Sequence, residues 1–150
     1  MKKKVLALLL ATAMIATFAG CGETTEPAGD DVVAGEWYAP YVEWAAEAGI
    51  VLGYGDGKFG VNDQITVEQA VVILARYAEY AGIYETADLS LEMFADAASV
   101  SEWALEAMTW AVENGIYTGE YGILAPQALA PRALIAEMLY SGVNAFELAD

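Results

Sequence analysis

Apolar residues recur along this chain at helical spacing in four segments, which form two pairs. In the first segment of each pair two tryptophans lie seven positions apart, Trp37 with Trp44 and Trp103 with Trp110, so both fall on one face of a helix. The second segment of each pair has apolar residues spaced for one helical face, over positions 70–81 and 134–139. The pattern predicts four helices and a mainly α fold.

Residues that favour helix ends stand at the borders of these segments. Thr66 and Gln69 have the spacing of a capping box, and Pro131 suits the first turn of the last helix. Gly49 and Gly115 follow the tryptophan-bearing helices, where a left-handed cap belongs. Each pair is therefore predicted to be a helix–loop–helix unit.

The two units are copies of one pattern, so the chain contains an internal repeat. Seven residues recur 66 positions later: Trp37, Trp44, Ala45, Glu47, Gly49, Ile50 and Gly53 correspond to Trp103, Trp110, Ala111, Glu113, Gly115, Ile116 and Gly119. The same offset aligns Asp30 with Asp96. Repeat units bury their apolar faces against neighbours, and such arrays usually need three units. We therefore predict a small helical bundle that is incomplete with two.

The N-terminus has the anatomy of a secretory signal. Residues 2–4 are lysines and residues 5–18 are mostly apolar, a stretch shorter than the roughly 20 residues of a bilayer-spanning helix. The sequence Phe18-Ala19-Gly20-Cys21 then resembles the lipobox of bacterial lipoproteins, with Phe18 where Leu is usual. The resemblance implies that residues 1–20 are removed and that the sulfur of Cys21 carries a diacylglyceryl group, which holds the chain on a membrane.

Residues 21–36 are predicted to link this lipid to the folded part of the chain. The stretch 22–35 is polar, acidic and poor in aromatic residues, so it cannot bury enough apolar surface to offset its ordering entropy. A flexible segment of this length reaches roughly 20 Å. The folded part is therefore expected to stay close to the membrane.

Composition excludes several classes of function. Six basic residues stand against 22 acidic ones and the formal net charge is −16, a surface that repels nucleic acid. With no histidine and one cysteine, the chain cannot form a Cys/His zinc site or a Ser-His-Asp triad from its own residues. No pair of carboxylates can be assigned acid and base roles from the sequence. We predict no enzyme activity, no cofactor and no metal site.

Longer stretches of both copies resemble a known family. Copy one reads Trp44-Ala-Ala-Glu-Ala-Gly-Ile50, Gly53-Tyr-Gly-Asp-Gly-Lys-Phe59 and Ile65-Thr-Val-Glu-Gln69. Copy two reads Phe94-Ala-Asp96, Trp110-Ala-Val-Glu-Asn-Gly-Ile116 and Ala130-Pro-Arg-Ala-Leu134. Both are similar to the S-layer homology motif. The resemblance divides the folded part into a first motif at 37–82, a linker at 83–93, a second motif at 94–142 and a tail at 143–150.

The resemblance implies a function at the bacterial cell surface. Members of this family attach non-covalently to the cell wall by binding a secondary wall polysaccharide, and three motifs commonly pack together with ligand grooves between neighbours. Combined with the lipid on Cys21, this implies a wall-associated protein on the extracellular face of the cytoplasmic membrane. The alternative is an assembly module of the cell envelope, which completes the set of three motifs with itself or with another S-layer homology protein.

The family pattern also indicates which residues bind the ligand. Its second helix begins Ile-Thr-Arg-Ala-Glu, and the Arg contacts the anionic sugar; copy two keeps this residue as Arg132, whereas copy one has Val67. The ligand-binding residues implied by the resemblance are Arg132, Asp56, Gly57, Trp44, Trp110 and Asp96. Two alternatives stay open, namely that the tryptophans are core aromatics and that Asp56 only makes a tight turn.

Overall fold

The computed structural model describes residues 29–146, which form four helices. They are α1 (Ala39–Glu47), α2 (Val67–Ala81), α3 (Leu105–Glu113) and α4 (Arg132–Ala145). Three single-turn 3-10 helices lie between α2 and α3, at Leu91–Met93, Ala97–Ser99 and Glu102–Ala104. The described residues contain two isolated β-bridges and no named strand, so the predicted mainly α fold is confirmed.

Several sequence predictions fall outside the described residues. The signal at 1–20, Cys21, most of the tether and the last four residues of the tail belong to that part of the chain. Among residues 29–146, no helix is long and apolar enough to cross a bilayer.

The helix ends follow from local sequence, as predicted. The hydroxyl of Thr66 accepts a hydrogen bond from the backbone N–H of Gln69 at 3.3 Å, and the Gln69 side chain accepts one from the N–H of Thr66 at 2.8 Å. Gly49 and Gly115 have φ of 72° and 67°, a left-handed conformation that glycine adopts without a Cβ penalty. The capping box therefore fixes where α2 begins, and the left-handed glycines fix where the turns after α1 and α3 lie.

The core lies where α2, α3 and α4 meet. Val71 from α2, Met108 and Trp110 from α3, and Met138 from α4 are almost completely buried there. In contrast, Ala39 is the one buried residue of α1. The core is therefore built from the second helix of copy one together with copy two, and the first helix of copy one lies at its margin.

The four tryptophans do not share one environment, although their spacing predicts a shared one. Trp110 exposes 1% of its surface, whereas Trp44 exposes 47%, Trp103 58% and Trp37 78%. The core interpretation is therefore right for Trp110 and wrong for Trp37 and Trp103. Trp37 precedes α1 and Trp103 lies in the 3-10 helix before α3, so neither belongs to the helical face that the spacing predicts. Trp110 lies on α3, which packs against α2, whereas α1 leaves Trp44 about half exposed.

The two copies are joined at the N-terminus of α2. Thr66 forms an antiparallel bridge with Leu129, and the N–H groups of Val67 and Glu68 donate to the carbonyls of Ala128 (2.9 Å) and Pro126 (3.0 Å). The first turn of α2 is thus capped by the segment that precedes α4. This junction fixes the position of copy one relative to copy two.

The buried side chain of Glu68 adds side-chain bonds to the same junction. Its carboxylate accepts hydrogen bonds from the N–H (3.1 Å) and the hydroxyl (2.9 Å) of Ser101, and from the side-chain amide of Gln127 (2.9 Å). Glu68 is 3% exposed, so it is a buried polar group whose oxygens are satisfied by copy two.

Residues 29–35, which the sequence assigned to the tether, are part of the fold. Gly29 and Val32 are buried, and the N–H of Asp30 donates to the carbonyl of Gly57 at 2.7 Å. The segment is polar in composition, but its polar groups have partners in the loop 53–61, which adds to the burial of Val32. The folded unit therefore reaches at least to residue 29, about eight residues ahead of the start at 37 that composition predicts.

Candidate functional site

Each copy has a loop that is held closed by one aspartate. In copy two, the carboxylate of Asp96 accepts hydrogen bonds from the N–H groups of Leu124 (2.8 Å) and Ala125 (2.7 Å). In copy one, the carboxylate of Asp31 accepts them from Phe59 (2.7 Å) and Gly60 (2.7 Å). Asp96 therefore holds the end of the loop at Leu124 and Ala125, and both of its carboxylate oxygens accept hydrogen bonds from backbone groups.

The counterpart of Asp96 is Asp31, and the alignment with Asp30 was wrong. The repeat offset is 65 at this aspartate and 66 along the first helices, because the connection before α3 is one residue longer in copy two. Hydrogen bonds from the backbone of Phe59, followed by those of Gly60 and Val61, lower the pKa of Asp31, while burial opposes this shift. Asp30 instead is exposed and contributes only its backbone to the loop.

Asp56 and Gly57 form a turn at the tip of the copy-one loop. The carboxylate of Asp56 accepts a hydrogen bond from the N–H of Lys58 at 3.1 Å, and Gly57 has a φ of 85°. Both residues are exposed. Asp56 thus makes the tight turn that was the alternative interpretation.

A groove of about 540 Å³ lies at the junction of the two copies. One wall is the loop after α3, including Tyr117, Glu120 and Tyr121, and the other is the start of α4 with Glu137. Val67, at the start of α2, contributes the wall from copy one. We call this cavity the junction groove.

The junction groove is lined mostly by apolar side chains, among which stand two tyrosines and two carboxylates. Two carboxylates, those of Glu120 and Glu137, line it, and the described lining residues include no Lys or Arg. The hydroxyl of Tyr117 donates to the carbonyl of Leu124, and burial, followed by the nearby charges of Asp96 and Glu120, raises the pKa of Tyr117. The groove therefore offers hydrogen-bond acceptors to hydroxyl or amino groups and no cation to an anion.

The predicted ligand-binding residues do not converge on the junction groove. None of Arg132, Asp56, Gly57, Trp44, Trp110 and Asp96 is among the described residues that line it. Arg132 is exposed as the first residue of α4, and Asp56 and Gly57 belong to the other loop. Trp44 lies on α1, where it makes an edge-to-face contact with Tyr80 at 5.6 Å between ring centroids.

Trp110 is a core residue, so its predicted part in a groove is wrong. Its ring stacks on Tyr84 (5.4 Å between centroids) and on Phe146 (5.9 Å). A small apolar cavity of about 70 Å³, lined also by Leu74 and Met138, lies beside it. Its indole N–H is buried without a hydrogen-bond partner among the described residues. A ligand outside the molecule cannot reach this side chain.

Comparison with known proteins identifies the kind of domain. The pattern of the S-layer homology domain matches residues 30–71, from the segment that Asp31 fixes to the first turns of α2. This chain contains an S-layer homology domain.

Relatives of the chain include surface proteins and enzymes. It is 38% identical over 112 residues to an amylopullulanase of Thermoanaerobacterium thermosulfurigenes, and 38% identical over 112 residues to exoglucanase XynX of Acetivibrio thermocellus, a match that covers 73% of this chain in each case. It is 37% identical over 89 residues, or 59% of this chain, to the surface-layer 125 kDa protein of Lysinibacillus sphaericus. The chain spans 6%, 10% and 7% of the length of these three proteins.

The S-layer homology domain is a non-catalytic module that anchors surface proteins to the cell wall. Its match in this chain covers copy one, where Val67 stands at the position for which the resemblance predicts an Arg. Val67 lines the junction groove, so this position of the S-layer homology motif points at the loop of the following copy. At this position the junction groove therefore has an aliphatic side chain, and its described lining residues include no cation.

Sequence reasoning missed two residues that organise the domain, Asp31 and Glu68. Asp31 was hidden by the change of offset. Glu68 had a sequence signal, because an acidic residue on the same helical face as Val71 and Val72 must either be exposed or find buried partners.

Proposed function

We propose that this chain attaches to the bacterial cell wall by binding an anionic secondary cell wall polysaccharide, while a lipid on Cys21 holds its N-terminus on the outer face of the cytoplasmic membrane. The protein then links membrane and wall through one small helical domain. The anchoring part of this proposal is supported by the S-layer homology domain at residues 30–71. The polysaccharide, the second motif and the lipid are the steps that we add.

The exposed position of Arg132 carries the proposal for an anionic ligand. Arg132 opens α4 in the sequence Ala130-Pro-Arg-Ala-Leu, and it is the repeat counterpart of Val67, which faces a groove. Charge-assisted hydrogen bonds from a guanidinium to a carboxylate contribute about 1.5–3 kcal/mol each. One such contact is enough to select an anionic sugar that the rest of the surface repels.

The acidic surface predicts an unusual response to salt. At a formal net charge of −16, long-range forces oppose the approach of an anionic polymer, and physiological salt with a Debye length of about 8 Å screens them. The contact at Arg132 is short-range and is screened less. Moderate salt is therefore expected to leave binding unchanged or to strengthen it.

The test is co-sedimentation of residues 22–150 with purified wall sacculi, before and after chemical removal of the secondary polysaccharide. Arg132→Ala is expected to weaken binding by roughly 10- to 150-fold, from the loss of about 1.5–3 kcal/mol. Arg76→Ala removes the same charge from α2 and is the matched control, with unchanged binding expected. Equal pelleting with stripped sacculi, or equal losses for the two variants, contradicts the polysaccharide mechanism.

A second candidate function is assembly within the cell envelope. It is favoured by three exposed aromatic residues, Trp37 just before α1 and Tyr41 and Trp44 on it, because a monomeric domain seldom exposes so many large rings so close together. The partner would be another copy or another protein with the same motif. In this case the chain forms complexes whether or not wall polymer is present.

A further inference from the structure

The two copies bury unequal fractions of faces that are equivalent by the repeat. On α3, Ala107, Met108, Trp110 and Ala111 are buried. Their counterparts on α1, which we call the α1 face, are Tyr41, Val42, Trp44 and Ala45, and none of them is buried. The buried face of α3 is covered in part by α2 of the preceding copy. The α1 face lacks such a cover among the described residues.

A complementary face is left open on α4. On α2, Val71 and Ala75 are buried at the side that packs on copy two. Their counterparts on α4 are Ala136 and Tyr140, which are both exposed. We call this surface the α4 face. The chain thus exposes both halves of the contact that α2 and α3 make inside it.

The start of α4 also lacks the cap that the start of α2 receives. Val67 and Glu68 donate their N–H groups to the carbonyls of Ala128 and Pro126. Their counterparts, Arg132 and Ala133, have no such bonds among the described residues, and Pro131 provides no side-chain cap. By the repeat, the missing acceptors are the carbonyls of the segment 61–63, which precedes α2.

We propose that a second copy of this chain docks its α1 face on the α4 face of the first, repeating between chains the contact that α2 and α3 make within one. The segment 61–63 of the second copy then caps α4, as residues 126–128 cap α2. The argument is continuity with an interface already present, since the same repeat supplies both surfaces. A head-to-tail contact of this kind closes into a ring when the rotation between copies allows it.

This contact also brings together residues that lie apart in one chain. Val67 faces the loop of the next copy, residues 118–123, across the junction groove. By the same relation, Arg132 of the first chain faces the loop of the second chain that carries Asp56 and Gly57. A groove completed in this way contains a cation, unlike the junction groove. Its use for an anionic sugar rests on the function proposed above, whereas the contact between chains does not.

The assembly is expected to form more readily in salt. The α1 face is flanked by Glu43 and Glu47, and the chain as a whole is strongly acidic, so two copies repel each other at long range. Apolar burial of Trp44 and Tyr140 is not screened. The dimer fraction should therefore rise between low and moderate ionic strength.

Cross-linking between two tagged forms of the full chain tests the orientation. Within one chain Glu68 contacts Ser101. By the repeat, Ala133 corresponds to Glu68 and the neighbourhood of Glu36 corresponds to Ser101, so these two positions should meet between docked chains. Both positions are exposed, so cysteines there leave the docking faces intact. One form carries Ala133→Cys and the other Glu36→Cys, and a short bismaleimide is added to cells that express both. The parent chain, which has only Cys21, gives the background.

The expected product has twice the mass of the chain, carries both tags and is several-fold more abundant than the products from either cysteine form alone. Trp44→Glu should abolish it, while Tyr121→Asn, which removes a more exposed ring away from both faces, should not. Equal amounts of product from one cysteine form alone, no product above background, or a product with a foreign protein overturn the proposal. The cross-link requires no wall polymer, so a failure of wall binding leaves this result unaffected.

Discussion

The buried carboxylate of Glu68 makes a quantitative prediction about how the two copies are held together. Glu68→Ala removes three hydrogen bonds that cross from α2 to copy two, those from the N–H and hydroxyl of Ser101 and from the amide of Gln127. At about 1 kcal/mol net for each bond, the free energy of unfolding should fall by about 3 kcal/mol. Gln127 is exposed and can bond to water instead, so its bond contributes the smallest share of this loss.

Urea unfolding followed by circular dichroism measures this loss. Glu79→Ala removes an exposed carboxylate from the same helix and should change the free energy of unfolding by less than about 0.5 kcal/mol. A double-mutant cycle with Ser101→Ala should give a coupling energy within about 0.5–3 kcal/mol, because the two side chains are in direct contact. If Glu68→Ala and Glu79→Ala unfold at the same urea concentration, the junction is not held by this side chain and the reasoning is refuted.

Three further predictions concern separate parts of the chain. Because its hydrogen bonds lower the folded-state pKa of Asp31, they stabilise the fold at pH values above the ordinary pKa of 3.8, and this stabilisation disappears as the pH falls through the lower folded-state value. Asp31→Asn should therefore destabilise the chain at neutral pH and flatten the acid limb of a plot of the unfolding midpoint against pH. An unchanged acid limb would contradict the stabilising role of these hydrogen bonds. Trp110→Ala should cost about 3–5 kcal/mol in thermal unfolding, whereas Trp103→Ala should cost much less, and similar losses would show that burial does not distinguish them. Cys21→Ala should move the chain from the membrane fraction to the soluble fraction of the cell envelope, and a variant that stays membrane-bound as firmly as the parent would show that no lipid is attached at Cys21.

The helices and their ends were predictable because their causes are local. The capping box of Thr66 and Gln69 and the glycines after the first helices act within a few residues of chain, so their effect is visible in the sequence. Periodicity likewise places Trp44 and Trp110 on apolar helical faces. It cannot tell whether another helix covers that face, which is why the same pattern gives one buried and one half-exposed ring.

The candidate site was less predictable because it depends on contacts between the copies. Arg132 was found by its motif, but it lies in copy two, whereas Asp56 lies in the loop of copy one. The repeat counterpart of Asp96 was misassigned by one residue, because small changes in connection length alter the spacing between the two copies. Only the hydrogen bonds identify Asp31 as the counterpart. Whether Glu68 is solvated or buried likewise depends on Ser101 and Gln127, which lie 33 and 59 positions away.

The hydrogen bonds from Phe59, Gly60 and Val61 to the Asp31 carboxylate, which we call the aspartate clamp, have a mechanical consequence. A pull on the chain ahead of residue 29 is first resisted where Asp30 and Asp31 bond to the loop, at Gly57, Phe59 and Gly60. That loop leads directly into α2, so force is passed to the core at this point. The 27 or so residues between Asp31 and Phe59, which include α1, form a loop whose two ends are joined by these hydrogen bonds, so they carry little load. The first helix can therefore shift or change partners while the chain is under tension, and the strength of the connection is set by how fast the aspartate clamp opens.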